Sequence, residues 1–281
     1  MEKLRIGGSA LIDLRNWNTY EYQSSSKGNQ PKYYKDGYWC KVDSYGNHEG
    51  LAEEIVSRLL SCTDLTNFVQ YKSIEAVTEL GKVHGCISRN MYNNCNIEFI
   101  SLRHLLDMYG EKRNITFSSD NILSNIENTV MFIRNVTGVD TLQYFGKLAY
   151  LDSIILNEDR HIMNVGVCFD RSRGVYFPAP IFDNGASLFC TRWTYRSGKS
   201  LDENISSALR TGRPFSKFHH KQVEAFRALG IQPIKVNKIY AEKLVTSENN
   251  TLYSDKFYKR AMSTLLTRLG EQQGVAFEWQ K

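Results

Sequence analysis

The pattern of apolar and polar positions divides the chain into a strand-rich first part and a helical second part. Up to about residue 100, apolar residues fall in short runs bounded by polar or glycine-bearing turns, which is typical of β-strands. From Ser101 onward they recur at the three- and four-residue spacing of amphipathic helices. The pattern therefore predicts an α+β fold, with a first unit over residues 1–100 and a second over residues 101–281.

The first part contains a strong hairpin signal. Asp36-Gly37 separates two aromatic-rich segments within 33–42, and this dipeptide favours a two-residue turn between antiparallel strands. Lys41 alternates with Trp39 on the second strand, so both side chains should lie on one face. The other elements predicted here are strands over 10–12, 18–22, 69–79 and 81–88, and a helix over 48–60.

The second part contains five predicted helices, over 101–109, 120–136, 141–156, about 217–229 and 255–269. Residues 95–100 are predicted to be the crossing into this part. Asp140 is a predicted N-cap. The helix that follows it is apolar enough to be central, and it leads directly into a polar loop.

Composition and charge narrow the class of protein. Of the 281 residues, 42% are hydrophobic and 23% are charged, which is ordinary for a globular protein. A formal charge of +5 suits a phosphate-bearing ligand, but it is too small to indicate direct nucleic-acid binding. No membrane span is expected, and the N-terminal residues lack a signal-peptide core, so a cytoplasmic location is expected. The six scattered cysteines form no C-x-x-C and are expected to be free thiols.

The candidate chemistry lies in the loop 157–164, N-E-D-R-H-I-M-N, and in a later I-F-D-N-G. Phosphoryl transfer needs a carboxylate beside the attacking hydroxyl, and an amide oxygen and a second carboxylate to hold metal ions. Asp159, Asn164 and Asp183 occur in that order, as D-x-x-x-x-N followed by a further Asp. The alternative is a polar turn after a helix, with the Asp as a cap. The joint pattern favours the catalytic interpretation.

These segments resemble a known family. N-E-D-R-H-I-M-N together with A-P-I-F-D-N-G-A-S-L is similar to the C-terminal lobe of the HipA-like serine/threonine kinases. The resemblance implies a two-lobed kinase-like fold, with a small strand-rich N-lobe and a mainly helical C-lobe. It also implies that Asp159 is the catalytic base and that Asn164 and Asp183 hold Mg²⁺.

A candidate phosphate loop, 24–32, precedes the hairpin strand that carries Lys41. Its backbone N–H groups can cradle phosphates, and the ammonium can pair with the α- and β-phosphates. The alternative is a connecting loop and one solvated lysine. The family also has a phosphate loop and a strand lysine before its first helix, although this loop is not G-x-G-x-x-G. Ser25 and Ser26, with Ser24, are candidate phosphate contacts; they are either autophosphorylated, as the family's loop serine can be, or solvated.

Several further polar residues have open interpretations. Either Glu49 or Glu53 can pair with Lys41, as a helix glutamate does in kinases, and both also suit the first turns of a helix. Arg160 is either a phosphate contact or a surface charge. The other polar residues in and just before the loop are expected to have structural roles, and Asn157 is expected to fix the loop backbone.

The function predicted from the sequence is that of an ATP- and Mg²⁺-dependent serine/threonine protein kinase of HipA-like type, with ATP and a protein substrate as partners. One alternative is a kinase of lipid or small-molecule hydroxyls, because D-R-H-x-x-N is also seen in phosphoinositide-type kinases. The other is a catalytically silent nucleotide-binding module. The basic aromatic segment 187–200 lies where an activation segment would be, and it either recognises a substrate or packs on the lobe.

Overall fold

The computed structural model describes residues 11–20, 30–92, 96–110, 121–192, 194–237 and 252–273. In these ranges the chain forms a six-stranded sheet, a three-stranded sheet and a set of α-helices. Within the same ranges, no helix is both long and apolar enough to cross a membrane.

The six-stranded sheet is formed by the first part of the chain. Its order is β1-β5-β6-β4-β3-β2, and all neighbours are antiparallel except β1 and β5. The sheet strands and the helix that packs on β5 and β6 are β1 (Ile12–Asp13), β2 (Asn18–Tyr20), β3 (Lys32–Lys35), β4 (Tyr38–Val42), α1 (Glu49–Leu60), β5 (Tyr71–Thr78) and β6 (Gly81–Arg89).

The predicted hairpin joins β3 and β4. Asp36 has φ of 49° and Gly37 has φ of 82°, so both turn residues are left-handed, as the two-residue hairpin requires. Side chains alternate along β4: Cys40 and Val42 enter an apolar core on one face. Lys41 points to the other face, which α1 covers.

The second part is built around a buried helix. Its elements are β7 (Ile97–Ser101), α2 (Leu102–Tyr109), α3 (Ile122–Thr137), α4 (Leu142–Ile155), β8 (Gly166–Asp170), β9 (Val175–Pro178), α5 (Leu201–Ala208), α6 (His219–Ala228) and α7 (Asp255–Gln273). Helix α4 packs against α6 and α7 and belongs to the main apolar core. A helix buried on several sides is a rigid support for the loop that follows it.

The structure confirms the predicted helices and the main hairpin, with shifts of one or two residues at most ends; the last helix continues four residues beyond its predicted end, to Gln273. Residues 95–100 do not merely connect the two parts, because β7 pairs with β8 in the three-stranded sheet. Asp140 is not the N-cap: Thr141 is, although Asp140 Oδ1 still accepts a bond from the Leu142 amide at 3.0 Å. Strands β8 and β9 and helix α5 were not predicted; the capping box of α5 is the signal that was overlooked.

Candidate active site

Three predicted site residues from distant parts of the chain meet on the α1 side of the six-stranded sheet. Lys41 Nζ lies 2.9 Å from Glu53 Oε1 and 2.6 Å from Asp183 Oδ1. Lys41 and Glu53 are 8% and 1% exposed, so this ion pair is buried. The second oxygen of Glu53 accepts a bond from the Asn184 amide at 3.0 Å. Glu53 therefore joins the strand lysine to the D-N-G backbone.

The electrostatics of this cluster favour its charged forms. Burial alone would lower the pKa of Lys41, but the carboxylates of Asp183 and Glu53 outweigh it and raise that pKa well above its usual value. Burial opposes ionisation of Asp183, yet Lys41 and Lys32 hold its pKa well below the usual range. The cluster is therefore an ammonium held between two carboxylates.

Glu49 lies elsewhere in the cleft. Its Oε2 accepts a bond from Gln30 Nε2 at 2.6 Å and lies 3.5 Å from the Ser44 amide. Burial, together with the nearby carboxylate of Asp43, raises the pKa of Glu49 to about 7. Of the two glutamates left open by the sequence, the structure brings Glu53 to Lys41.

The loop after α4 is organised by its own side chains. Leu156 ends the helix in the left-handed region. Asn157 Oδ1 then accepts a bond from the Asp159 amide at 2.9 Å, so Asn157 fixes the loop backbone as predicted. Asn164 Nδ2 donates to the Asp159 carbonyl at 3.1 Å, which orients the amide group. His161 Nε2 lies 3.7 Å from Asp159 Oδ2.

Arg160 is neither a phosphate contact nor a surface charge, so both interpretations of it were wrong. It is 1% exposed, and its guanidinium donates to both carboxylate oxygens of Asp152 at 3.1–3.3 Å. It also donates to the Phe182 carbonyl at 2.5 Å and to Asn184 Oδ1 at 2.6 Å. Arg160 thus ties the end of α4 and the loop to the D-N-G segment.

The residues present are suitable for a divalent cation. Asp183 has φ of 59°, a rare conformation for a residue that is not glycine and one that is concentrated at functional sites. One of its oxygens is bonded to Lys41. Because Asn164 uses its NH₂ group on the loop backbone, its carbonyl oxygen is the group left to face a ligand. Carboxylate and amide oxygens are the ligands that Mg²⁺ prefers.

A second lysine faces the cluster and was missed in the sequence. Lys32 pairs with Lys41 across β3 and β4, so both side chains lie on the same face. Burial and the neighbouring Lys41 charge lower the pKa of Lys32, while Asp183 opposes the change. The signal was available, because a two-residue turn at Asp36-Gly37 places residues 32 and 41 opposite one another.

An apolar cluster lies beside the ion pair. It contains Val69, Tyr71 and Cys86, with Met91 and Phe182 packed against it. The ammonium of Lys41 is 4.9 Å from the centre of the Tyr71 ring. A flat apolar ligand that carries phosphates would find matching surfaces here.

The segment after Asp183 packs on the helical part. Phe189 forms a small core with Leu156 and Ile205, and Tyr195 packs against that core. Thr191 Oγ1 donates to Glu158 Oε1 at 3.0 Å, and Glu158 directly precedes Asp159. Ser24, Ser25 and Ser26 lie outside the described residues.

The fold of the chain was compared with those of known proteins. No family model and no curated protein matches the sequence. In structure the chain is similar to the proinflammatory kinase CtkA of Helicobacter pylori, with a TM-score of 0.59, 14% identity, and coverage of 92% of this chain and 94% of CtkA. It also aligns with HipA of Shewanella oneidensis MR-1, solved with HipB and operator DNA, at a TM-score of 0.45 and 13% identity, over 90% of this chain and 66% of that one. The likeness to CtkA shows a two-lobed α+β kinase-like fold, as the resemblance to HipA-like kinases implied.

Proposed function

We propose that this protein is an ATP- and Mg²⁺-dependent kinase that phosphorylates serine or threonine hydroxyls of a protein. The observation that carries the proposal is the meeting of Lys41, Glu53 and Asp183, the last of which is 142 positions from the lysine. A strand lysine, a helix glutamate and a metal-binding aspartate in this order are the parts that kinases use to hold ATP.

Each residue of the site has a proposed role in holding ATP. Lys41 binds the α- and β-phosphates, and Glu53 keeps it oriented. Lys32 adds a second positive charge on the same face of the sheet. The adenine packs against the apolar cluster that includes Met91 and Phe182. Phosphate binding by Ser25 and Ser26, and autophosphorylation there, are part of the proposal.

Asn164 and Asp183 are the residues that would hold Mg²⁺, which when bound neutralises charge on the transferred phosphate. Asp159 orients the acceptor hydroxyl and takes its proton as the new oxygen–phosphorus bond forms and ADP leaves. Arg160, itself a residue of the loop, keeps the loop on the D-N-G segment, since its guanidinium bonds to the Phe182 carbonyl and to Asn184 Oδ1.

The lobes divide close to residue 100 in this proposal. Along the chain, β6 is the last strand of the six-stranded sheet, and the next strand, β7, pairs with β8 of the second part. The ATP site would then lie between residues 1–100 and 101–281, with Lys41 and Glu53 on one side and Asp159, Asn164 and Asp183 on the other.

Incubation with γ-labelled ATP and Mg²⁺ tests the proposal. We expect label on the protein itself or on an added protein acceptor, its loss in Asp159→Ala by roughly a hundredfold or more, and its loss with EDTA. Lys41→Ala should weaken ATP binding, whereas Lys72→Ala, an exposed lysine of β5, should not. Asp183→Ala should abolish Mg²⁺-dependent binding.

Other outcomes point to other functions. Label on phosphoinositide vesicles or on a small alcohol, with none on protein, would indicate a kinase of another acceptor. Tight ATP binding without transfer would indicate a silent module. ATP binding by Asp183→Ala at wild-type strength would contradict the assignment of the metal site.

A further inference from the structure

Helix α7, which we also call the C-terminal helix, and Tyr253 just before it contact the N-terminal end of α1. Tyr253 Oη donates to Asp43 Oδ2 at 2.8 Å, and the other oxygen of that carboxylate accepts from the Gly50 amide at 2.7 Å. The ring of Phe257 lies 3.8 Å from the ring of His48, the N-cap residue of α1. These contacts fix the position at which α1 begins, and α1 carries the glutamate of the buried ion pair.

The same helix contacts the segment that follows the D-N-G motif. Leu188 and Phe189 have φ of 54° and 56°, and such left-handed conformations persist only where the surroundings hold them. Arg260 Nη2 donates to the Phe189 carbonyl at 2.9 Å. Its guanidinium also lies 4.7 Å from the Tyr195 ring centre and 4.9 Å from that of Phe257. Arg260 therefore binds a backbone segment whose left-handed conformation has to be held by its surroundings.

The two contacted parts also touch each other. The His48 amide donates to the Cys190 carbonyl at 2.7 Å, and the Arg192 amide donates to Asn47 Oδ1 at 2.7 Å. The α1 end, the segment after D-N-G and the C-terminal helix thus form a closed set of contacts. A displacement of one member would disturb the other two.

We propose that Tyr253, Phe257 and Arg260, which we call the C-terminal clamp, hold α1 and the segment after Asp183 in the arrangement that assembles the active site. Arg260 is the positioning residue of the clamp. It acts through the Phe189 backbone and touches neither nucleotide nor acceptor. This role rests on the proposed kinase function, but the contacts themselves can be tested without it.

Hydrogen–deuterium exchange on the full chain tests the clamp. In Arg260→Met, which keeps an apolar stem but removes the donor, we expect amides of 184–192 and 47–52 to exchange about tenfold faster or more. The strands β5 and β6 should exchange as in the wild type. Lys259→Met removes the same charge from an exposed neighbouring position and should change neither region.

Steady-state kinetics give a second measurement. If Arg260 only biases the population toward the assembled site, Mg·ATP can restore that population by binding to it. We therefore expect Arg260→Met to raise KM for ATP about tenfold with kcat within twofold. Arg260→Lys keeps the charge and a donor and should recover part of the loss.

The outcomes separate the two proposals. Unchanged exchange in Arg260→Met, or acceleration that extends equally over β5 and β6, would overturn the clamp. The expected exchange pattern in a wild-type protein that transfers no phosphate would leave the clamp standing and remove the kinase function. Should Arg260→Met not fold, Tyr253→Phe provides the test: it loses only the bond to Asp43, and faster exchange in 47–52 and 184–192, with β5 and β6 unchanged, is the expected result.

Discussion

Removing the carboxylate of Asp152 while Arg160 stays in place should strongly destabilise the helical lobe. The two side chains are 2% and 1% exposed and are joined by three nitrogen–oxygen contacts of 3.1–3.3 Å. Asp152→Leu leaves a guanidinium buried with neutral acceptors, the Phe182 and Asp183 carbonyls and Asn184 Oδ1. Breaking a buried ion pair in this way typically costs about 3–5 kcal/mol.

Replacing both partners should cost far less. Burial raises the pKa of Asp152 even though Arg160 opposes the change, so the attraction does not fully compensate for the loss of water. An apolar pair of similar volume needs no such compensation and is often neutral in stability. We expect Asp152→Leu/Arg160→Met to lose much less stability than the sum of the losses in Asp152→Leu and Arg160→Met, each of which should be about 3–5 kcal/mol.

Thermal and urea denaturation of the four proteins of this double-mutant cycle provide the measurement. A loss of about 3–5 kcal/mol corresponds to roughly 6–20 °C in Tm for a chain of this size. The control is Asp107→Ala, which breaks the exposed Arg103–Asp107 pair of α2 and should cost no more than about 0.5 kcal/mol. Phosphoryl transfer should stay lost in the stable double variant, because Arg160 no longer binds the D-N-G backbone. Additive effects of the two single changes would refute the reasoning.

Three further predictions concern the cleft. Lys32→Met should weaken ATP binding about tenfold, since it removes a cation from the cluster, and Lys35→Met, at an exposed position of the same strand, should not; equal affinities by calorimetry would exclude Lys32 from the site. Glu53→Gln should lower phosphoryl transfer more than Glu49→Gln, because only Glu53 is bonded to Lys41, and the reverse order in a transfer assay would contradict that pairing. Burial raises the pKa of Asp43 to about 6 and that of Glu49 to about 7, both above their unfolded values. Each carboxyl therefore contributes stability that is fully present below about pH 4 and is lost as pH rises to about 7. In Asp43→Asn/Glu49→Gln the urea midpoint should therefore change less with pH across that range than it does in the wild type.

The sequence was informative wherever local spacing decides the structure. The Asp36-Gly37 turn predicted the hairpin, and the hairpin register in turn places Lys32 opposite Lys41. The loop motif placed Asp159 and Asn164 five residues apart after a buried helix, which is the distance over which Asn164 bonds the Asp159 carbonyl. In both cases the relevant contacts lie within a few residues of the turn or helix end.

Arg160 was misjudged because its environment depends on contacts that are distant in sequence. Its neighbours in the loop are polar, and nothing in D-R-H indicates burial. The partner carboxylate of Asp152 lies eight positions earlier, and the Phe182 carbonyl lies 22 positions later. Only the packing of α4 against the D-N-G segment brings these groups around the guanidinium.

The choice between Glu49 and Glu53 also depends on a contact between residues that are distant in sequence. The two residues are four apart on α1, so helical periodicity places both on one side. Which of the two reaches Lys41 depends on where α1 crosses the sheet. A Cβ added at Gly50 would lie 2.5 Å from the backbone of Gly85, so the helix touches β6 at its first turn. Gly85 pairs with Val42, one residue beyond Lys41, and the next turn of α1 therefore reaches the lysine. Two glycines that are 35 positions apart thus decide, by their close approach, which glutamate completes the ion pair. Neither helical nor strand periodicity in the sequence indicates that approach.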